Sequence, residues 1–493
     1  MNRGRWSGAR WGLVGLLLVA WALRLSPLLQ VPLHPDEALY GYWGLLIGRG
    51  QDPWLTSVQV YKPPLLPYAV AGFQWLLGDT WLALRLTGLT AGVLTVALVG
   101  ALAHALYRDP WTTIAATLGV ALSPFAIILS GTAFPDPPMV ALGLAACLAA
   151  ARDQPKWAGV LAGLSFATKQ TGLVWLPAAV LLSASHPRSR RLSRRSVLSV
   201  VGLAAWVVAL VFGWDAVRVA RGADGFWQVG IVGYGGLRLV WPHELWQRLQ
   251  NWLELARYLF ASPAVNALLL IGVPVLVWIS LVRCRGARSA FADLLLVSFC
   301  LIYMLFHWLV AFPVWDRYLL PLVPILAVLL GRIVGMGASG LRFLTPNWRA
   351  AAGSLLLALL LTGPALKARA GRYPIGRERL AYQGIESVVS FLRQLPEGSV
   401  VYHHWLGWHY HHALFDGPVY LAYWPSPAWL ARDVQAFGDR EPRYVAFPVW
   451  ESAARVRGAL TDVGYALEPA LTTTRQDGSP SFVVYAIRPS FNR

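Results

Sequence analysis

Apolar segments of membrane-spanning length constrain this chain more than any other feature. The first runs from Trp11 to Leu29, and ten more follow at about 82–106, 111–130, 137–151, 157–168, 171–184, 197–217, 263–282, 290–311, 317–336 and 350–368. A bilayer takes roughly 20 apolar residues to cross, and each crossing must satisfy its own backbone polar groups. Hydrophobic residues are 56% of the 493 and charged residues 13%, which excludes an ordinary soluble domain. The expected fold class is mainly α, a polytopic membrane helical bundle of about eleven spans. The stretch 157–184 is too long for one upright helix. It reads as two short helices meeting at the polar tip Lys169-Gln170-Thr171-Gly172.

The net charge of +18 would fit nucleic acid only if the basic residues formed one surface. They fall instead in short clusters between apolar segments: Arg108; Arg152 and Lys156; Arg188, Arg190, Arg191, Arg194 and Arg195; Arg283, Arg285 and Arg288; Arg342 and Arg349. That is the composition of cytoplasmic loops, so no nucleic-acid partner is expected. The N-terminus is placed inside. Arg3, Arg5 and Arg10 precede the first span, and no small-residue cleavage site follows it, so it reads as uncleaved. Counting 157–184 as two helices keeps HPRSRRLSRRS inside and sends the C-terminus outside. The expected location is the plasma (inner) membrane. Cys147, Cys284 and Cys300 lie in or beside apolar segments without metal-type spacing and read as packing residues.

With that orientation, the unusual polar motifs all face outside. HPDEALYGYW follows the first span and carries Asp36 and Glu37 beside hydrocarbon, where charge is costly and function is the default reading. YKPPLLPY carries Lys62, AFPDPPM carries Asp136, the hairpin tip carries Lys169, and the last external loop carries Asp316-Arg317-Tyr318. Between them, 31–81 forms a long external loop with two helices expected to lie in the interface: EALYGYWGLLIGRG, and PPLLPYAVAGFQWLLG with prolines in its first turn. The loop 218–262, with Trp227, Trp241, Trp246 and Trp252, also looks interfacial.

After about residue 372 the composition changes. SVVYHH, RYVAFPV and SFVVYAIRP read as strands, and GIESVVSFLRQL and ESAARVRGALTDVG as amphipathic helices. The expected domains are therefore 1–371, a membrane catalytic domain, and 372–493, a small external α/β domain.

Asp36, opening a helix whose dipole favours the ionised carboxylate, is the best general-base candidate; the plain alternative is a helix cap. Lys62, fixed before two prolines, suits a phosphate, or snorkels at headgroup depth. Lys169 could do the same, or pair with Asp36 or Asp136. Asp136 could orient an acceptor, cap the next helix, or join Asp36, Glu37 and His34 around a divalent metal. Arg317 suits a phosphate oxygen, with Tyr61 and Tyr318 beside the two cations as substrate contacts. The cluster YHHWLGWHYHH (His403, His404, His409, His411, His412) matches no common zinc spacing. It reads as a strand end and a helix carrying aromatic and imidazole side chains.

The Asp-Glu pair after the first span, the KPP motif, the Asp of the second external loop and the RYxxPxxP late span resemble the GT-C glycosyltransferases. The likeness is to the branch holding bacterial aminoarabinose transferases and dolichyl-phosphate-mannose protein mannosyltransferases, and it covers about residues 10–370. It implies transfer, with inversion, of a sugar from a polyprenyl-phosphate donor outside the cytoplasm. Asp36 would be the base or acceptor-binding carboxylate, with Glu37 beside it. Lys62 would bind the lipid phosphate, and Asp136 would belong to the acidic site of the second loop. The resemblance leaves metal dependence open. It also leaves open the acceptor, whether protein, lipid or glycan. The competing readings are a polyprenyl-linked lipid transporter or flippase, which predicts repeat symmetry and polar residues deep in mid-span, and a noncatalytic membrane assembly protein.

Overall fold

The computed structural model describes residues 3–184, 193–233, 238–283, 287–340, 346–376 and 381–490. Arg188, Arg190, Arg191, Cys284, Arg285 and Arg342 of the expected cytoplasmic loops lie outside the described residues. The chain divides into two compact units, Met1–Leu29 with Gly50–Gly376, and Gln30–Arg49 with Arg377–Arg493. The segment carrying Asp36 and Glu37 therefore groups with the C-terminal domain.

The first unit is helical and multi-pass. Six helices are long and apolar enough to cross a membrane: Gly12–Leu29, Trp81–Tyr107, Arg194–Ala220, Pro263–Val282, Arg288–Leu309 and Ala351–Arg369. Pro110–Ala121 and Pro124–Ser130, bent by 55°, make a seventh when the pair is counted as one span. Four of the eleven expected segments fold as shorter helices or apolar stretches, Asp136–Ala151, Pro155–Thr168, Trp175–Ala184 and Leu322–Gly337. Six or seven spans are therefore what length and composition support.

The bend has a local cause and a buried partner. Pro124 cannot continue the preceding helix, and Ser123 caps the new one by accepting from the Ala126 amide at 3.3 Å. The break frees the carbonyls of Val120 and Ala121, and the fully buried Arg24 takes both, at 3.2 Å each. Its Nε also donates to the Ser130 hydroxyl at 3.2 Å. A guanidinium in the bundle is tolerated because its donors are occupied.

Leu65–Leu77 forms the second expected loop helix. Leu66, Val70 and Gln74 fall on its buried face, while Trp75 is 77% exposed. In 218–262, Leu245–Ala256 is amphipathic, with Trp246 exposed and Trp252 buried.

The second unit holds a five-stranded sheet of β1 (Val400–His403), β2 (Tyr420–Tyr423), β3 (Arg443–Pro448), β4 (Tyr465–Thr474) and β5 (Pro480–Pro489), in the order β2-β1-β3-β5-β4. β1 runs parallel to β2 and β3, while β5 runs antiparallel to β3 and β4. Alternation puts Tyr444 and Ala446 into a core with Ile385, Val388 and Tyr410. Val445 and Phe447 point into another with Leu430, Val434 and Leu460. Both faces are covered, as a sheet with parallel strands requires.

The expected helix of the HPDE segment forms over Pro35–Gly48, and nine of its residues are buried within the protein. It packs against Gly407–Ala413. A Cβ on Gly41 would stand 2.5 Å from Cδ2 of His412, so that approach requires glycine.

Candidate active site

Six of the expected residues gather in the first unit. The loop that delivers Tyr61 and Lys62 is pinned twice. Asp52 accepts from the Ser57 amide and hydroxyl, both at 2.7 Å. These bonds with those from Thr56 outweigh burial, which alone would raise the Asp52 pKa, and hold it below the usual carboxylate value. The fully buried Arg218 donates to the Leu55 carbonyl at 3.1 and 3.0 Å, and Asp215 balances its charge at 2.8 Å. At the loop's end the Tyr61 carbonyl accepts from Gln170 Nε2 at 2.7 Å. Lys62 is 4% exposed, its Nζ 4.9 Å from the Tyr61 ring centroid.

Gln170 belongs to the hairpin tip, which forms as the sequence suggested. Pro155–Thr168 ends, Gln170–Val174 makes a tight 3-10 turn, and Trp175–Ala184 returns. Gly172 is needed at that turn, because a Cβ there would lie 2.2 Å from the Ser165 carbonyl oxygen. The turn points Lys169 inward, where it is 3% exposed.

Of the two partners open to it, Lys169 takes Asp136, with Nζ 2.5 Å from Oδ1. Asp136 sits in the first turn of Asp136–Ala151 and is 1% exposed. Its Oδ2 is buried with no hydrogen-bond partner among the described residues. Lys169 Nζ also lies 4.3 Å from the centroid of the Tyr318 ring. The Arg317 guanidinium stacks on Phe134 and Trp315, at 4.7 and 4.6 Å. Asp316 accepts from the Arg317 and Gly376 amides, both at 2.6 Å.

The remaining expected residues, His34, Asp36 and Glu37, lie in the second unit. His34 is the N-cap of Pro35–Gly48, its Nδ1 accepting from the Asp36 amide at 3.1 Å. Glu37 closes the capping box, its Oε2 accepting from the His34 amide at 2.9 Å. Glu37 is fully buried, while Asp36 is half-buried in the first turn.

The histidine cluster supports this segment. His409 Nε2 lies 2.9 Å from the Leu33 carbonyl, and the Tyr42 ring is 5.0 Å from that of His411. Burial pushes His409 and His403 down to about 4, so both rings are neutral near pH 7. Among the described residues no three His, Cys, Asp or Glu side chains gather as a metal-ligand set.

Residues 61–214 match the family described as Dolichyl-phosphate-mannose-protein mannosyltransferase. The undecaprenyl phosphate-alpha-4-amino-4-deoxy-L-arabinose arabinosyl transferase 1 of Proteus mirabilis (strain HI4320) is 27% identical over 210 residues. That match spans 39% of this chain and 38% of the relative's length. Crystal structures of ArnT from Cupriavidus metallidurans superpose with a TM-score of 0.65. The apo form is 15% identical and covers 97% of this chain and 98% of its own. The form bound to undecaprenyl phosphate is 14% identical and covers 98% of each chain. The chain therefore shares the fold of ArnT. The oligosaccharyltransferase of Archaeoglobus fulgidus, in complex with zinc and sulfate, shares it more distantly, with a TM-score of 0.51, 15% identity and coverage of 97% and 73%. The family match takes in two of the motifs that carry the resemblance, those of Lys62 and Asp136, while the Asp-Glu pair and the RYxxPxxP span lie outside it. Beyond the motifs, the first unit carries His307, a lone histidine in an apolar span with no sequence pattern around it.

Proposed function

We propose that the protein is a membrane glycosyltransferase. It moves a sugar from a polyprenyl-phosphate donor to an extracytoplasmic acceptor, with inversion. The observation that carries this reading is the buried group of Lys169, Asp136 and Tyr318, tied through Gln170 to the loop of Tyr61 and Lys62. The likeness to ArnT, a structure of which holds undecaprenyl phosphate, supports a lipid phosphate as leaving group.

The roles follow from the charges. As the sugar–phosphate bond breaks, charge grows on the departing lipid phosphate. Lys62, with Lys169 or Arg317, stabilises that charge where the dielectric is low. Asp36 takes the proton of the attacking hydroxyl. The dipole of its own helix favours the ionised form it needs for that task. The acceptor is a protein, lipid or glycan outside the cytoplasm, the N-terminus is cytoplasmic, and the C-terminal domain is extracytoplasmic.

The purified protein is incubated with a panel of polyprenyl-phosphate sugars, and released polyprenyl phosphate is measured. Turnover with at least one donor is expected. Asp36→Asn is expected to abolish it while donor binding persists; transfer retained in that variant removes Asp36 from the mechanism. A chelator arm reports metal dependence. A wild type idle with every donor sinks the enzymatic reading.

A further inference from the structure

We infer that His307 recognises the transferred sugar, its Nε2 accepting a hydrogen bond from a hydroxyl of the lipid-linked donor. This rests on the function proposed above and names a further contact in that site. His307 lies near the end of Arg288–Leu309 and is 2% exposed. Its Nδ1 is 2.9 Å from the Tyr303 carbonyl oxygen. A carbonyl can only accept, so Nδ1 carries the proton, and in the neutral ring Nε2 is a lone-pair acceptor. Nε2 makes no hydrogen bond among the described residues.

The ring is held as a preorganised contact should be. The His307 carbonyl accepts from Trp252 Nε1 at 3.1 Å and from Arg248 at 3.0 Å. Arg248 also donates to the Val310 carbonyl at 2.8 Å, which locks the end of the helix. Tyr303 lies 4.2 Å from the ring, and Trp252 and Tyr318 each lie 5.8 Å away.

The same Tyr318 ring lies under Lys169, and both Lys169 and Asp136 are close enough to act on His307 electrostatically. Beside an ammonium and an aromatic ring the site thus offers two acceptors: Asp136 Oδ2, buried without a hydrogen-bond partner, and His307 Nε2, for which no hydrogen bond is found among the described residues. A sugar brings the complement. Its hydroxyls donate to the two acceptors, its C–H face suits the ring, and its phosphate suits the ammonium. A histidine kept only for packing among Tyr303, Phe306 and Phe312 would be replaceable by phenylalanine without effect on sugar discrimination.

The test uses the full chain as wild type, His307→Phe and His307→Gln. It measures binding of sugar-free polyprenyl phosphate, and kcat and KM with the polyprenyl-phosphate sugar panel and single-deoxy analogues of the preferred donor. His307→Phe is expected to bind the sugar-free lipid phosphate normally. It should lower kcat/KM for the preferred donor roughly 10- to 100-fold, mainly through KM. His307→Gln, which keeps an acceptor, should recover part of that loss. One deoxy analogue should be used equally by wild type and His307→Phe. Two outcomes overturn the inference while leaving the proposed function standing: wild-type kinetics in His307→Phe, and a loss spread equally over the sugar-free lipid and every donor. A wild type idle with all donors overturns both.

Discussion

Asp136 and Glu37 are both buried carboxylates at the first turn of a helix, yet the two units neutralise them differently. Asp136 is matched by a lysine, at 2.5 Å, brought from a hairpin tip 33 residues away. Glu37 is matched by an amide of its own helix start, three residues away. A long-range ion pair is available to a reacting ligand, because a phosphate or hydroxyl can compete for either partner. A capping box spends its carboxylate on the backbone. Under the proposed function, the comparison leads us to give binding chemistry to the first carboxylate and support of the loop carrying Asp36 to the second.

The largest expected effect comes from breaking the ion pair. Lys169→Met leaves Asp136 charged in a site 1% exposed, and removing one partner of a buried pair costs about 3–5 kcal/mol. The double variant Lys169→Met/Asp136→Asn should regain most of that loss, since no charge is stranded. Thermal unfolding of the detergent-solubilised protein measures both. Equal destabilisation by the single and double variants would mean that the pair is not the unit that matters.

Next comes the histidine support of the HPDE segment. His409 sits at about 4 in the folded protein against an ordinary value of 6.5, with burial the main cause. Between those values the unfolded chain binds the proton and the folded chain does not. The stability is therefore complete above about pH 6.5 and lost as pH falls towards 4, on the order of 3 kcal/mol for this fully enclosed ring. His403 adds loss in the same direction. Unfolding followed at pH 7 and pH 5 should show the second unit weakening at the lower pH. His409→Phe should flatten that dependence.

What the sequence disclosed, and what it hid, follows the same division between local and distant partners. The hairpin at 157–184 was legible because a polar tetrapeptide interrupted an apolar run, and Asp136 was among the acidic partners its lysine could reach. The strand end and helix of YHHWLGWHYHH were legible from local pattern. β4 was not, because Glu468 and Pro469 interrupt the alternation and the strand carries a register shift there. The burial of Pro35–Gly48 was hidden too. Its residues are apolar all round, and the helix that covers it begins at Gly407, far along the chain. His307 was hidden because one tautomer-fixing bond to its own helix leaves no trace in a sequence.

The smallest effect separates the two roles of Glu37 most sharply. Glu37→Ala strands the His34 amide, and loss of a capping partner costs about 0.5–2 kcal/mol. Glu37→Gln keeps a side-chain oxygen for that amide and removes only the charge. If the carboxylate serves the loop through the cap, Glu37→Gln keeps most of the stability and retains sugar transfer, while Glu37→Ala loses part of both. The reverse pattern, a stable Glu37→Gln protein without transfer, would move Glu37 from support into the chemistry beside Asp36. Paired melting curves and donor turnover for the two variants distinguish these outcomes, because a cap is blind to the charge that a reacting group requires.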